Sequence, residues 1–340
     1  MHRFPPPRPL LALLSIALCT ASPADSRPVH WRGWLVENDQ RLAIRFDLEA
    51  RSGTFSSPAW AVLDYPLADV AVAAGHASWR MGDDRFTGTT TRGAMRGNFT
   101  GSDGSGTFEL HRARAEARPY REVQVTFPDS GARLSGTLCV PDTPGRHAAV
   151  VLVHGSGPQT RWGTNRYLAD RFARAGIAAL AYDKRGCGAS GGDWKTAGFE
   201  TLADDAIAAA GLLAHRSDVD AGRIGILGHS QGGIIASLAV MRAPRRFAFV
   251  VAQDSPSGPV RDQDLYRVRN GLKSLRLAPE DEANAMRVFG LFIDAARGAR
   301  PFEVFDAARA PFLGTDWYAW LGIPPREAWV WASAVDRFEE

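Results

Sequence analysis

Residues 223–240 read RIGILGHSQGGIIASLAV, and this stretch decides the fold. RIGIL has the look of a short buried strand, GGIIASLAV that of an apolar helix, and the glycines between them mark a tight turn with Ser230 at its tip. Gly228-His229-Ser230-Gln231-Gly232 fits Gly-x-Ser-x-Gly. The glycines have a steric reason: a serine held in strained backbone between strand and helix leaves no room for side chains two positions away on either side. Such a serine is suited to attack, but its hydroxyl is inert at neutral pH without a base to take the proton.

The pattern continues on both sides of this stretch. REVQVTF (121–127) and ARLSGTLCV (132–140) read as a hairpin. AAVVLVHG (148–155) is a continuous apolar run, as expected of a strand buried on both faces. TNRYLADRFARAG (164–176) is a helix closed by Gly176, and IAALAYDKRG (177–186) is a second buried strand. TLADDAIAAAGLLAHR (201–216) reads as a helix with Thr201 and Asp204 spaced as a capping box, and FAFVVAQD (247–254) as a sixth strand. Strands alternating with helices imply an α/β core over 119–256 with a mostly parallel sheet and crossover connections.

Upstream, from 30 to 114, the period is two. Leu42, Ile44, Phe46 and Leu48 alternate, and Met95, Phe99, Phe108 and Leu110 flank a Gly/Ser/Asp turn. With Trp31, Trp34, Phe55, Trp79 and Phe86 they predict a small antiparallel β-domain, a sandwich or barrel, joined to the core by RARAEARPY (112–120). It holds no catalytic cluster, and its Asn98-Phe99-Thr100 glycosylation triplet is of a kind common by chance. Beyond Pro256 the strand–helix rhythm stops. Leu265, Val268, Leu272 and Leu275, then Met286, Phe289 and Ile293, recur at helical spacing; Pro279 with three acidic residues marks a helix start. Residues 257–340, rich in Trp317, Trp320, Trp329 and Trp331, are expected to form a helical cap.

The chain has 340 residues, 45% hydrophobic and 23% charged, enough for a sizeable core. Forty basic against 37 acidic residues leave a net charge of +3 with arginines scattered, which argues against a nucleic-acid partner. His2, Arg3 and Arg8 precede an apolar run from Leu10 to Leu18 and then small residues. This reads as a secretory signal peptide over 1–24, cut after Ala21 or Ala24, and too short for a membrane span. Cys19 admits a lipoprotein alternative, although Leu18 is bulky where a lipobox wants a small residue. The mature protein is expected to be exported to the periplasm or beyond. Cys139 and Cys187 then remain, in no Cys-x-x-Cys or His-rich setting, so neither a metal nor a cofactor is expected.

At the site, the helix beginning at Gln231 would aim free N–H groups at Ser230, making the Gln231 amide one oxyanion donor. The second is expected from the turn after VVLVHG, at Ser156, with Gly157 as the alternative. His154 and His229 flank these turns and are expected to pack and brace the loops. HGSGP (154–158), YDKRGCGAS (182–190) and GHSQGG (228–233) stand in the order and spacing of an α/β-hydrolase. The set resembles the exported bacterial esterases related to the prolyl-oligopeptidase and serine-aminopeptidase group. WRGWL (31–35) and GTFSSP (53–58) look like the appended β-domain that some of them carry. The resemblance implies Ser230 as nucleophile, Gln231 and Ser156 as oxyanion donors, a structural role for Arg185 and Gly186, and a small ester or peptide as substrate.

The departure from that family is large. Its acid follows the seventh strand and its histidine the eighth, whereas His2, His30, His76, His111, His147, His154, His215 and His229 all precede Ser230. Asp254, after the sixth strand, is a possible acid, although a plain loop carboxylate reads as well. Losing the histidine of a serine triad costs on the order of a million-fold, roughly 8 kcal/mol. Two expectations follow: the chain is a truncated esterase, or it is a hydrolase-like protein that binds without turnover. Truncation is the favoured expectation, because the sixth strand would otherwise leave a bare hydrophobic sheet edge.

Overall fold

The computed structural model describes residues 28–101, 104–256 and 258–326. The signal-peptide reading, Cys19, Trp329 and Trp331 lie outside the described residues.

The period-two segment forms nine strands: β1 (Val29–Glu37), β2 (Gln40–Leu48), β3 (Gly53–Ser57), β4 (Val62–Pro66), β5 (Ala68–Ala73), β6 (His76–Met81), β7 (Asp84–Thr90), β8 (Ala94–Thr100) and β9 (Ser105–Arg112). They make one antiparallel, barrel-like sheet in the order β4-β3-β2-β1-β9-β8-β7-β6-β5. Alternation puts Phe46, Phe55, Trp79, Phe86 and Phe108 on its inner face, with Phe46 and Trp79 ring centres 4.7 Å apart. Burying rings of this size is the main stabilisation available to so thin a unit.

The second sheet contains β10 (Tyr120–Asp129), β11 (Ala132–Pro141), β12 (His147–Val153), β13 (Ala178–Tyr182), β14 (Val219–His229) and β15 (Phe249–Gln253), in the order β10-β11-β13-β12-β14-β15. Strands β13, β12, β14 and β15 are mutually parallel, but β10–β11 and β11–β13 are antiparallel. The expected mostly parallel sheet is therefore restricted to those four strands; across both sheets antiparallel pairing predominates. Ser130 and Gly131 join β10 to β11 with positive φ, and so short a turn permits only an antiparallel pair.

Helices α1 (Thr164–Arg174), α2 (Phe199–Ala214) and α3 (Gln231–Arg242) cross between the parallel strands. Gly176, at φ +83°, follows α1 where the sequence placed its stop. The capping box at Thr201 and Asp204 does not form. The helix starts two residues earlier, at Phe199, with Gly198 at the cap and no side-chain cap bond. Burial of the Phe199 ring extends the helix, and Asp204 instead pairs with Arg242 at 3.0 Å.

Strand β15 lies at the sheet edge, and Phe249, Val250 and Val251 remain 41–42% exposed. The chain then enters α4 (Val260–Leu275), α5 (Pro279–Ala296), α6 (Phe302–Arg309) and α7 (Asp316–Trp320). Pro279 occupies the first turn of α5 with Glu280, Asp281 and Glu282, which suits the positive end of the helix dipole. These helices close around Val268, Leu272, Val288, Phe289, Phe305 and Trp317.

The segment 112–120 is more than a tether. Glu116 accepts from Arg32 and Arg45 of the first sheet, each at 3.1 Å, and from Arg174 of α1 at 3.0 Å. Asp64 of β4 accepts from Arg45 at 3.0 Å, Arg118 at 2.8 Å and the fully buried Arg166 of α1 at 3.2 Å. Arginines on both sides of these two carboxylates join the β-sheet to the core. Cys139 and Cys187 are buried free thiols, and burial pushes Cys139 up to about 11.

Candidate active site

The turn between β14 and α3 places Ser230 at φ 54°, ψ −125°, a conformation that L-residues seldom adopt. The chain is held there from several directions. Ser230 N donates to Gln253 O at the end of β15, 2.9 Å away, and Gly233 N closes the turn onto Ser230 O, also at 2.9 Å. A Cβ on Gly228 would land inside the backbone of Gly232. A Cβ on Gly232 would sit 2.5 Å from His154 O and 2.7 Å from Val153 O. The glycines thus let the helix start pack directly on the end of β12. Gly233 permits the same closeness to Ser255, whose Oγ would be 2.5 Å from an added Cβ.

The Ser230 side chain is half-buried, and among the described residues its hydroxyl makes no hydrogen bond. Gln231 is the first residue of α3, so its N–H has no partner within the helix.

The second expected donor lies on the turn after β12. Gly155 sits against the elbow, its Cβ direction 3.4 Å from His229 O. The turn is bonded at each of its carbonyls. Gly155 O accepts from Lys184 Nζ at 2.7 Å, Ser156 O from Gln159 Nε2 at 3.1 Å, and Gly157 O from Lys184 Nζ at 3.0 Å. Gln159 Oε1 in turn accepts from Gly155 N at 3.1 Å. Among the described residues the N–H groups of Ser156 and Gly157 donate to nothing.

His154 is fully buried, donates from Nε2 to Tyr182 O, and stands edge-on to the Tyr182 ring at 4.7 Å. Burial, with the Lys184 charge adding to it, pushes this imidazole down to about 4, so it is neutral at physiological pH. His229 points elsewhere: its Nδ1 lies 3.7 Å from Asp254 Oδ2, and the Asp254 side chain is 73% exposed. The structure therefore sets Asp254, the possible acid, beside His229, and gives it no hydrogen bond to Ser230.

YDKRGCGAS braces the site from beneath. Asp183, 2% exposed, accepts from Arg161 N at 2.7 Å, Arg161 Nη2 at 2.7 Å and Ala189 N at 2.9 Å. Burial opposes its ionisation, and these bonds outweigh burial to hold the carboxyl below the usual carboxylate range. Arg185 is buried against Asp205 at 2.6 Å and Asp129 at 3.1 Å, and Gly186 turns at φ +72°. Sequence reasoning missed Arg161 and Lys184. Arg161 stands alone in a loop, and Lys184 was read only as part of a strand-end motif. Neither position carries a local signal, because their partners are 22 or more residues away.

Among the described residues no cluster of His, Cys, Asp and Glu is placed to hold a metal, and no helix is long and apolar enough to cross a membrane.

Several known proteins are similar to part of this chain. The Hydrolase_4 family, serine aminopeptidase S33, matches residues 144–276. The matched residues include the strand–turn–helix elbow at Ser230 and all three motifs, so this stretch is similar to that family. Esterase EstD of Thermotoga maritima is 30% identical over 151 residues, which is 42% of this chain and 36% of that protein. The chain thus spans about a third of the length of the curated relative it matches. Among solved structures, an esterase of Pyrococcus furiosus is 25% identical over 48% of this chain and 58% of its own, with a TM-score of 0.37. A dienelactone hydrolase of Anabaena variabilis is 26% identical over 40% and 64%, with a TM-score of 0.35.

Proposed function

We propose that the protein is a serine hydrolase of carboxylic esters, working through an acyl-enzyme on Ser230. The observation that carries this reading is Ser230 itself: an unbonded hydroxyl on a left-handed turn whose flanking glycines are sterically required. Ser230 Oγ attacks the ester carbonyl, and the oxygen that becomes negative is met by the N–H groups of Gln231 and Ser156. Each such donor lowers the barrier by roughly 3–4 kcal/mol. The Ser230 hydroxyl proton passes by way of solvent water to the departing alkoxide, which leaves as the alcohol, and a water molecule then cleaves the acyl-serine to the carboxylic acid and the free serine. Peptide or amide cleavage is a close variant that would use the same groups.

Asp254 stays the possible acid of this reading; its Oδ2 lies 3.7 Å from His229 Nδ1, beyond hydrogen-bond distance. The residual rate available from oxyanion donors and binding without a histidine base is about 10³–10⁴ over water. A second reading, a binding protein of hydrolase shape, is favoured by one observation: among the described residues no imidazole or carboxylate is hydrogen-bonded to the Ser230 hydroxyl. The exported location is part of the proposal and is supported by the basic, apolar and small-residue sequence of the leader.

The experiment is fluorophosphonate labelling together with p-nitrophenyl ester turnover, on this chain and on Ser230→Ala. Labelling that maps to Ser230, with turnover abolished by the substitution, is the expected result. Absence of both labelling and turnover would overturn the hydrolase reading for this chain. The N-terminal residue of secreted material tests the leader, with a start at residue 22 or 25 expected.

A further inference from the structure

We infer that Lys184 is a positioning residue that holds both oxyanion donors in register, tying the Ser156 turn and Gln231 to one buried ammonium. This rests on the reading of Ser230 given above and deepens it. Lys184 is 3% exposed, and its Nζ has three acceptors: Gly155 O at 2.7 Å, Gly157 O at 3.0 Å and Gln231 Oε1 at 3.2 Å. An ammonium has three N–H bonds, and here each has an acceptor.

The consequence follows from peptide planarity. In a trans peptide the C=O of residue 155 and the N–H of residue 156 point in opposite directions. Pulling Gly155 O onto Lys184 therefore turns the Ser156 N–H away from the lysine. Gln159 does the same to the next peptide: its Nε2 holds Ser156 O and so orients the Gly157 N–H. The Gly157 carbonyl belongs to the peptide before Pro158, which has no N–H, so its bond to Lys184 serves only to anchor the turn. The third bond goes to Gln231, the residue bearing the other donor. One cation thus spans the two loops that must keep their spacing while charge develops on the substrate. Its own positive charge, in a site of low dielectric, favours that negative oxygen as well.

Lys184 must stay protonated to make all three bonds, since a neutral amine has two N–H groups. Burial pushes its ammonium down to about 8. The titratable groups around it are His154, already neutral; Cys187, whose thiol burial raises; and Asp183, ionised and paired with Arg161. Among these, Lys184 is the one that changes charge between about pH 7 and 9.

The test uses Lys184→Met, which keeps the stem and removes the donors, and Gln231→Ala, which removes one acceptor and leaves Lys184 and the backbone N–H at 231 in place. For Lys184→Met a 10²–10³-fold loss in kcat and in the fluorophosphonate labelling rate is expected, with KM within about threefold, as for a lost oxyanion donor. For Gln231→Ala the loss is about 2- to 10-fold, the worth of one hydrogen bond. The alkaline limb of wild-type activity, falling above about pH 8, should vanish in Lys184→Met. A crystal structure of Lys184→Met should show the Gly155–Ser156 peptide rotated. Unchanged kcat in a folded Lys184→Met, or a turn at 155–157 that keeps its wild-type geometry, overturns the inference. Wild-type protein that fails to label at Ser230 defeats the hydrolase reading instead, and the crystal structure still decides whether Lys184 sets the turn.

Discussion

Replacing Gly232 by alanine adds one methyl group where the start of α3 meets the backbone that ends β12. The added Cβ would lie 2.5 Å from His154 O and 2.7 Å from Val153 O, whereas ordinary contact begins near 3.4 Å. Val153, the last residue of β12, is paired with Gly228 of β14, and the buried ring of His154 is bonded to Tyr182 O, so neither carbonyl rotates away freely. The start of α3 has to retreat by about 0.9 Å, and overpacking of this kind costs about 1–3 kcal/mol. The Gln231 N–H travels with the helix. An oxyanion donor works at about 2.7–3.1 Å, so a displacement approaching 1 Å removes most of its effect, about 100-fold in rate. Two assays separate the consequences: a thermal melt reads the packing cost, and the rate of fluorophosphonate labelling at Ser230 reads the donor. A variant that labels within twofold of wild type and melts at the same temperature would refute the reasoning, because the methyl group would then have found room that the geometry denies it.

Further expectations concern the same region. Ser230→Gly should melt higher than Ser230→Ala by an amount worth roughly 1 kcal/mol, since only glycine adopts φ +54° without strain; equal melting temperatures would show that the turn relaxes. Arg161→Met leaves Asp183 as an uncompensated buried charge and should destabilise by about 3–5 kcal/mol in urea titrations. The sign of the pH effect follows from Asp183 being held below its unfolded value. Its contribution is complete above about pH 4 and is lost as pH falls through the lowered folded value, so wild-type stability should drop on acidification and Arg161→Met should lose that slope.

Local signals made much of this protein legible. The sequence from 223 to 240 carries much of its own geometry, because chain neighbours set the strand, the turn and the helix, and the turn itself excludes a side chain at Gly228, while Gly232 answers to the distant backbone of Val153 and His154. Gly176 and Pro279 punctuate helices for reasons internal to the backbone. The capping box at Thr201 was misread because the competing effect, burial of Phe199, depends on a core that no window of sequence contains.

What the sequence determined by itself is therefore the presence of a serine elbow, an aromatic β-unit ahead of it and a helical region behind it. What only the tertiary structure decided is the wiring between them. The arginines around Asp64 and Glu116, the Arg161–Asp183 pair and the three bonds of Lys184 join residues tens of positions apart. A buried charge takes its partner from whichever segment the fold brings within about 3 Å, and distance along the chain plays no part in that choice.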